Sequence, residues 1–360
     1  MNTVTLARTP AASKAAPRYP IADDKAMLKA AAEATRDLVQ PRPAIYWLDL
    51  GASVAVGYPA LVAAAMAPTW GWTIALGVVA TLALYRAMSF IHEVSHVKHA
   101  NLPGFRLGWN MLVGVPMLIP SFMYEGVHNL HHAKTRYGTS EDPEYLPLAL
   151  MKPWTLPVFI LVSALAPVGL LIRYGLLAPL SLLAPGLRRA VVERYSALAI
   201  NPHFRRRMPE GEAKTLWDRL EIACGLWAIA LIAMVATGIM PLPAFLIGMA
   251  IAAGVAVINQ LRTLVAHLWE NDGEPMTVTG QYLDTVNVPP PAMLPMLWAP
   301  VGLRYHALHH LLPGVPYHNL GEAHRRISAL LDPASPYHKA SYRGMPGLVW
   351  KIARSTMIAR

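Results

Sequence analysis

Cysteine is nearly absent, Cys224 being the one thiol in 360 residues. A lone cysteine inside an apolar run forms no internal disulfide, iron–sulfur cluster or four-thiolate metal site, so electrons for any redox reaction must come from another molecule. Charge is scarce as well. Charged residues make up 14% of the chain, against about 25% in an ordinary soluble domain. Hydrophobic residues make up 54%, and the mean hydropathy is +0.35. That balance excludes a disordered chain and argues against a water-soluble enzyme. The 32 Pro and 24 Gly follow no triplet period, which excludes collagen. The excess of 31 Lys and Arg over 21 Asp and Glu gives a net charge of +10, but no basic face is interleaved with recognition chemistry, so nucleic acid is not an expected partner.

What the chain does have is long apolar runs, at Ala44 to Ala67, Gly71 to Ile91, Thr155 to Ala184, Ile222 to Met240 and Ala244 to Leu261, with a shorter one from Gly108 to Phe122. A transmembrane helix needs about 20 such residues. The first two runs are joined by Ala67-Pro68-Thr69-Trp70 and the last two by Met240-Pro241-Leu242-Pro243, both free of charge. Two tight helical hairpins, four main spans, are expected. Nearly all Lys and Arg lie in the other connections, which by the positive-inside rule face the cytoplasm. The runs 108–122 and 155–184 are broken by prolines and are read as interfacial or re-entrant helices, because a single crossing by either would put the chain's histidine motifs on opposite sides of the membrane. Residues 22 to 40 form a short amphipathic pattern able to rest on a membrane surface. No secretory signal is present, and the first 20 residues, Arg-containing and free of acid, share the composition of a transit peptide. The fold expected is all-α and integral to the membrane: a cytosolic amphipathic segment (1–43), a membrane domain (44–330) under a cytosolic histidine-rich cap, and a cytosolic tail (331–360).

Nine of the 14 histidines fall in three clusters, His92-Glu93-Val94-Ser95-His96-Val97-Lys98-His99, His128-Asn129-Leu130-His131-His132 and His306-Ala307-Leu308-His309-His310; His267 comes shortly after the last hairpin. On a helix, His92 and His96 share a face about 6 Å apart along the axis. In HxxHH three imidazoles occupy an arc of about 100°, wide enough to bracket two metal ions. So many polar groups at span ends would be costly without a ligand to satisfy them. Imidazoles without thiolate suit Fe, Cu, Ni or Zn. One zinc is saturated by three or four protein ligands, so this number of histidines points to two neighbouring ions, each with an open position.

In that order and at those separations, HEVSH, HNLHH and HALHH resemble the three histidine boxes of the membrane fatty acid desaturase and hydroxylase superfamily. The stretch Leu311 to Leu320, LLPGVPYHNL, resembles the segment after the third box in many acyl desaturases. The resemblance spans about residues 44 to 330 and implies a non-haem di-iron centre ligated by His92, His96, His128, His131, His132, His306, His309 and His310, with His267 as the further histidine that several acyl desaturases supply. Acyl-CoA members pair that histidine with an asparagine four residues earlier. Here the position is Thr263, so the outer ligand of one iron is expected to differ. His99 is read as a hydrogen-bonding neighbour of box one, and His318 as supporting or structural. Glu125, three residues before His128, is expected to hydrogen-bond a ligand imidazole. Glu93, Asp142, Glu270, Asp272 and Glu322 are further carboxylates able to fix histidine tautomers. His203, His324 and His338 are given no role.

An unactivated methylene has no acidic proton and no electrophilic carbon, so a metal must supply the oxidant. The reaction implied is O2-dependent fatty acyl desaturation, with O2 as co-substrate, electrons from a separate ferredoxin or similar donor with its reductase, and a membrane site facing the cytoplasm of a bacterial cell. The chain should lie in an apolar tunnel under the cap, its polar head near Arg188, Arg189 or Arg205 to Arg207. A hydroxylase, ketolase or 1-alkene-forming decarboxylase would keep every ligand and change only the substrate pose. HEVSH also fits the HExxH signature of an intramembrane zinc protease with Glu93 as general base, but that reading leaves two HxxHH boxes unused. A non-catalytic metal carrier is the alternative from another class.

Overall fold

A computed structural model describes residues 21–148 and 151–358. The transit-peptide reading of the first 20 residues lies outside the described residues. The described residues are helical and contain no named β-strand, only isolated bridges such as His267 to Thr285. In chain order the elements that matter are α1 (Lys25–Ala34), α2 (Pro43–Met66), α3 (Trp70–His96), α4 (His128–His131), α5 (Thr155–Ser181), α6 (Pro185–Tyr195), α7 (Gly211–Ala236), α8 (Leu242–Ala266), α9 (Val278–Asp284), α10 (His306–Leu311), α11 (Leu320–Leu330) and α12 (Met345–Ala353).

Helices α2 with α3 and α7 with α8 are the two expected hairpins. Pro43 opens α2 and Pro243 sits in the first turn of α8, where a missing N–H costs nothing. Gly238, at φ +77°, lets the chain turn back after α7. Two of these helices run longer in the direction of the histidines than hydropathy suggests. Helix α3 continues from Ile91 to His96, and α7 begins at Gly211, not Ile222. The helical hydrogen bonds persist where the side chains turn polar, so the apolar length underestimates the helix.

Five helices, α2, α3, α5, α7 and α8, are long and apolar enough to cross a membrane, and the protein is a multi-pass membrane protein. Helix α5 packs its first two-thirds along α8 and its last third on α7. It includes short 3-10 and π segments around its prolines. Its entry is pinned by Gln260 Nε2 donating to Phe159 O at 3.0 Å, seven residues from His267. Its exit leads directly to Arg188 on α6, which pairs with Glu221 and Asp218 in the histidine-side half of α7. Its two ends thus lead to contacts in the histidine-side halves of α8 and α7. Arg173 of α5 is itself buried against Glu221 and Ser196.

Met27 and Ala31 of α1 are buried in the cluster that holds Leu320, Ala323 and Ile327 of α11, so the amphipathic segment covers the cap and not a free lipid surface. Past residue 330 the chain also folds onto the body: Ala340 O accepts from Asn287 N at 2.8 Å, and Leu348 of α12 packs beside Val265.

Candidate metal centre

The last two turns of α3 leave the apolar layer with His92 and His96 one turn apart on one face. Helix α4 is a single turn, reached through Gly126 at φ +75°, and carries His128, His131 and His132 at its end. Helix α10 presents His306, His309 and His310, and His267 is the first residue beyond α8, in extended conformation. All nine converge and sort into two sets. His92, His96, His128, His132 and His309 form one, and His131, His267, His306 and His310 the other; within each, the donor nitrogens lie within 4.8 Å of one another. Each HxxHH box feeds both. The i and i+4 members of box two face the first set and its i+3 member the second, whereas box three does the reverse. His132 and His310 stack at 4.2 Å where the sets meet.

The protonation pattern decides what such a cluster can hold. Nδ1 of His128 is 2.8 Å from Glu144 Oε1 and Nδ1 of His131 is 2.9 Å from both oxygens of Asp142, so each ring donates Nδ1–H outward. Tyr137 donates its hydroxyl to Asp284 at 2.9 Å and therefore accepts from Nδ1 of His267. These contacts leave Nε2 of all three rings as bare lone pairs aimed inward. Across the interior, Nε2 atoms meet at 3.0 Å (His128 and His132; His96 and His309), 3.1 Å (His267 and His306) and 3.2 Å (His309 and His132; His310 and His306). Nε2 of His131 and both ring nitrogens of His92 are buried without a partner. Nine ring nitrogens converging in a buried site, three of them fixed as inward lone pairs, suit a bound cation. Burial first, and then the neighbouring imidazoles, hold His128, His132, His309 and His310 well below the usual histidine range, which keeps them neutral as ligands must be. His131 is also pushed down by burial, but the carboxylate of Asp142 outweighs it and carries this ring above the usual value. Burial raises Glu144 and Asp284 to about 7.

All nine histidines singled out in the sequence therefore meet. Among the other expected residues, Asp142 binds His131. Glu125 is engaged by Ser121 at 2.6 Å and Arg106 at 3.4 Å, and the carboxylate on His128 is Glu144. His99 is half-exposed, 3.7 Å from Glu125, and belongs to neither set. Thr263 Oγ1 accepts from Arg262, Glu270 offers its backbone N–H to Asp284, and His318 accepts from Arg42 N near the start of α2. Asp272 is exposed and Glu322 pairs with Arg325 and Arg326. Glu144, Tyr137 and Asp284 are absent from the sequence-based expectations. Glu144 has a signal, standing two residues past Asp142 just after box two, whereas Asp284 comes from a helix with no motif.

Glu93 has Oε1 3.7 Å from Nδ1 of His92, on the outer side of that ring, and turns Oε2 away from the histidine interior. Its Oε2 accepts from the Tyr46 hydroxyl and from Tyr317 N at 3.2 Å, in a pocket of aromatic rings. A general base must reach the reacting water, so the protease reading fails on geometry. Glu93→Gln is expected to lower thermal stability while turnover stays within about threefold of wild type, since it removes one charge from a buried contact whose hydrogen bonds go to Tyr46 and Tyr317 and not to a histidine; a parallel melting and activity assay checks this.

Below the second set, the space bounded by Arg262, Val265, Val286, Val288 and Trp298 is about 10 Å³. Three of the arginines expected at the lipid head, Arg188, Arg205 and Arg206, are engaged within the protein. Arg188 holds Glu221, and Arg206 donates to Glu125 O and Ser196 O and covers the Trp217 ring.

Two sets of inward-facing imidazoles at one end of a membrane helical body define a histidine-box membrane oxidoreductase. The chain belongs to the fatty acid desaturase family, whose profile matches residues 64–343. It is similar to the ceramide hydroxylase of Caulobacter vibrioides (strain NA1000 / CB15N), 48% identical over 324 residues that cover 90% of this chain and 92% of that protein. No solved structure matches it.

Proposed function

We propose that this oxidoreductase is an O2-dependent lipid hydroxylase acting on a ceramide-like acyl amide through two non-haem irons. His92, His96, His128, His132 and His309 hold one iron, and His131, His267, His306 and His310 the other. The single observation that carries the metal reading is the pair of buried sets of converging ring nitrogens, with Nε2 of His128, His131 and His267 fixed as inward lone pairs by Glu144, Asp142 and Tyr137. The preference for oxygen insertion over the desaturation expected from the boxes rests on the similarity to a ceramide hydroxylase along nearly the whole chain.

Bound in these two sets, iron supplies O2 activation and the power to break an unactivated C–H bond. The protein's own contribution is electrostatic and steric. Glu144, Asp142 and the Tyr137–Asp284 pair fix three rings with Nε2 inward, and the buried cap excludes water from the reacting carbon. Which product forms is then a matter of how the lipid is held. With Cys224 buried and alone, electrons arrive from an external donor, a ferredoxin or similar carrier with its reductase. The concentration of Lys and Arg in the connections at the histidine end supports a cytoplasm-facing site in a bacterial inner membrane.

The test is incubation of the purified protein with O2, a reducing system and either ceramide or free fatty acid, with the products read by mass spectrometry. A ceramide product heavier by one oxygen is expected, and a product lighter by two hydrogens would show desaturation instead. Metal analysis should find about two iron atoms per chain, the number two sets of four or five nitrogen ligands accommodate. One zinc and no iron would end the reading.

A further inference from the structure

Arg262 lies on α8, five residues before His267, and is buried at 8% exposure. Its Nη2 donates to Thr263 Oγ1 at 3.1 Å, the Tyr85 oxygen lies beside it, and its Nε has no hydrogen-bond partner. Among the described residues no carboxylate forms an ion pair with it. A buried cation with a spare donor is costly unless something accepts from it.

The guanidinium lines the 10 Å³ space under the second histidine set, whose other walls are mostly Val265, Val286, Val288 and Trp298. Arg304 also borders it, with Nε donating to Val288 O and Nη2 to Ala292 O. The space adjoins His267 through Ala266 and His306 through Val286, whose carbonyl accepts from Ala307 N. Tyr85, two turns before His92 on α3, donates its hydroxyl to Trp298 O on the same wall, so the space is on the membrane side of the histidines, where a lipid must enter. Its size admits a single oxygen-sized group.

A site for the middle of a hydrocarbon chain has no use for such a donor, since methylenes accept no hydrogen bond. We propose that Arg262 binds an acceptor oxygen at the polar end of the lipid, and so selects for reaction a carbon within a few bonds of that oxygen. This rests on the reading of the protein as a lipid hydroxylase and adds where on the lipid it acts. The shared chemistry is an oxygen acceptor, supplied either by the amide carbonyl or hydroxyl of a ceramide or by the carboxylate of a free fatty acid.

The experiment uses the full-length, iron-loaded protein in detergent with a short-chain ceramide, an amine analogue lacking the amide carbonyl, and a free fatty acid. Arg262→Met should retain iron, raise KM for the preferred probe about tenfold to a hundredfold, the worth of a charged hydrogen bond, and scatter the position of the new hydroxyl. Arg262→Lys should fall between the two. Val288→Ile, which fills the space and leaves the charge, should raise KM in the same way. Discrimination by wild type between ceramide and its amine analogue, lost in Arg262→Met, identifies the carbonyl; equal use of both with selective loss of fatty acid turnover identifies the carboxylate. Unchanged KM and unchanged product position in iron-replete Arg262→Met overturns the proposal. Should that variant lose iron or fail to fold, unchanged KM and position in Val288→Ile overturns it equally. A desaturated wild-type product refutes the hydroxylase reading alone, because the KM comparison between variants still reads the contact.

Discussion

Replacing His309 with alanine is expected to abolish turnover and to leave about half of the bound iron, with membrane insertion and helix content unchanged. His309 is the ring on which the first set turns: its Nε2 lies 3.0 Å from that of His96 and 3.2 Å from that of His132, which come from two other parts of the chain. Removing it takes away one nitrogen donor of five and the ring that joins the other two clusters. The loss should exceed the roughly 10–100-fold expected for an outer-shell partner. His131→Ala, in the second set, should do the same to the other iron, because Nε2 of His131 is buried with no partner of its own. Turnover assays beside iron analysis and circular dichroism decide the matter. Full activity in either variant would break the assignment of nine ligands.

The second large effect is expected at Asp142, which touches no reacting atom. Its carboxylate takes Nδ1–H of His131 on both oxygens, Gly138 N at 2.8 Å and Glu144 N at 2.8 Å. Gly138 can make this approach because its φ is +72° and an added Cβ would sit 2.5 Å from Asn271 Nδ2. Asp142→Asn keeps an oxygen for the backbone donors but withdraws the charge that orients His131. Activity or iron affinity should drop about 10–100-fold with little change in melting temperature. Asp142→Ala leaves three buried donors unsatisfied, at about 1–3 kcal/mol each, and should melt early as well. Equal melting of the two variants would show that the carboxylate is not the organiser of this loop.

Much of this site is visible in the linear chain. The hairpins come from apolar length and charge-free turns, and the three boxes from helical spacing, both being local properties that a residue carries wherever it lies. The carboxylates behind the histidines are less visible. Asp142 stands close to box two and can be picked out there, Glu144 carries the weaker signal of standing two residues on, and Asp284, which reaches His267 only through Tyr137, escapes a linear reading. The arginines mislead for a physical reason. Arg188 and Arg206 look free in sequence but are consumed by Glu221 and by backbone carbonyls, while Arg262, one charge in an apolar helix, keeps a buried Nε without a hydrogen-bond partner.

Composition and spacing were enough to establish a helical membrane body, a histidine-rich end and ligand chemistry without thiolates. They did not reveal how nine imidazoles divide, because that depends on where α3, α4, α8 and α10 meet across up to 218 positions of chain, from His92 to His310. Only packing set His131 apart from its neighbour His132, and only packing aimed one guanidinium at the space beneath them.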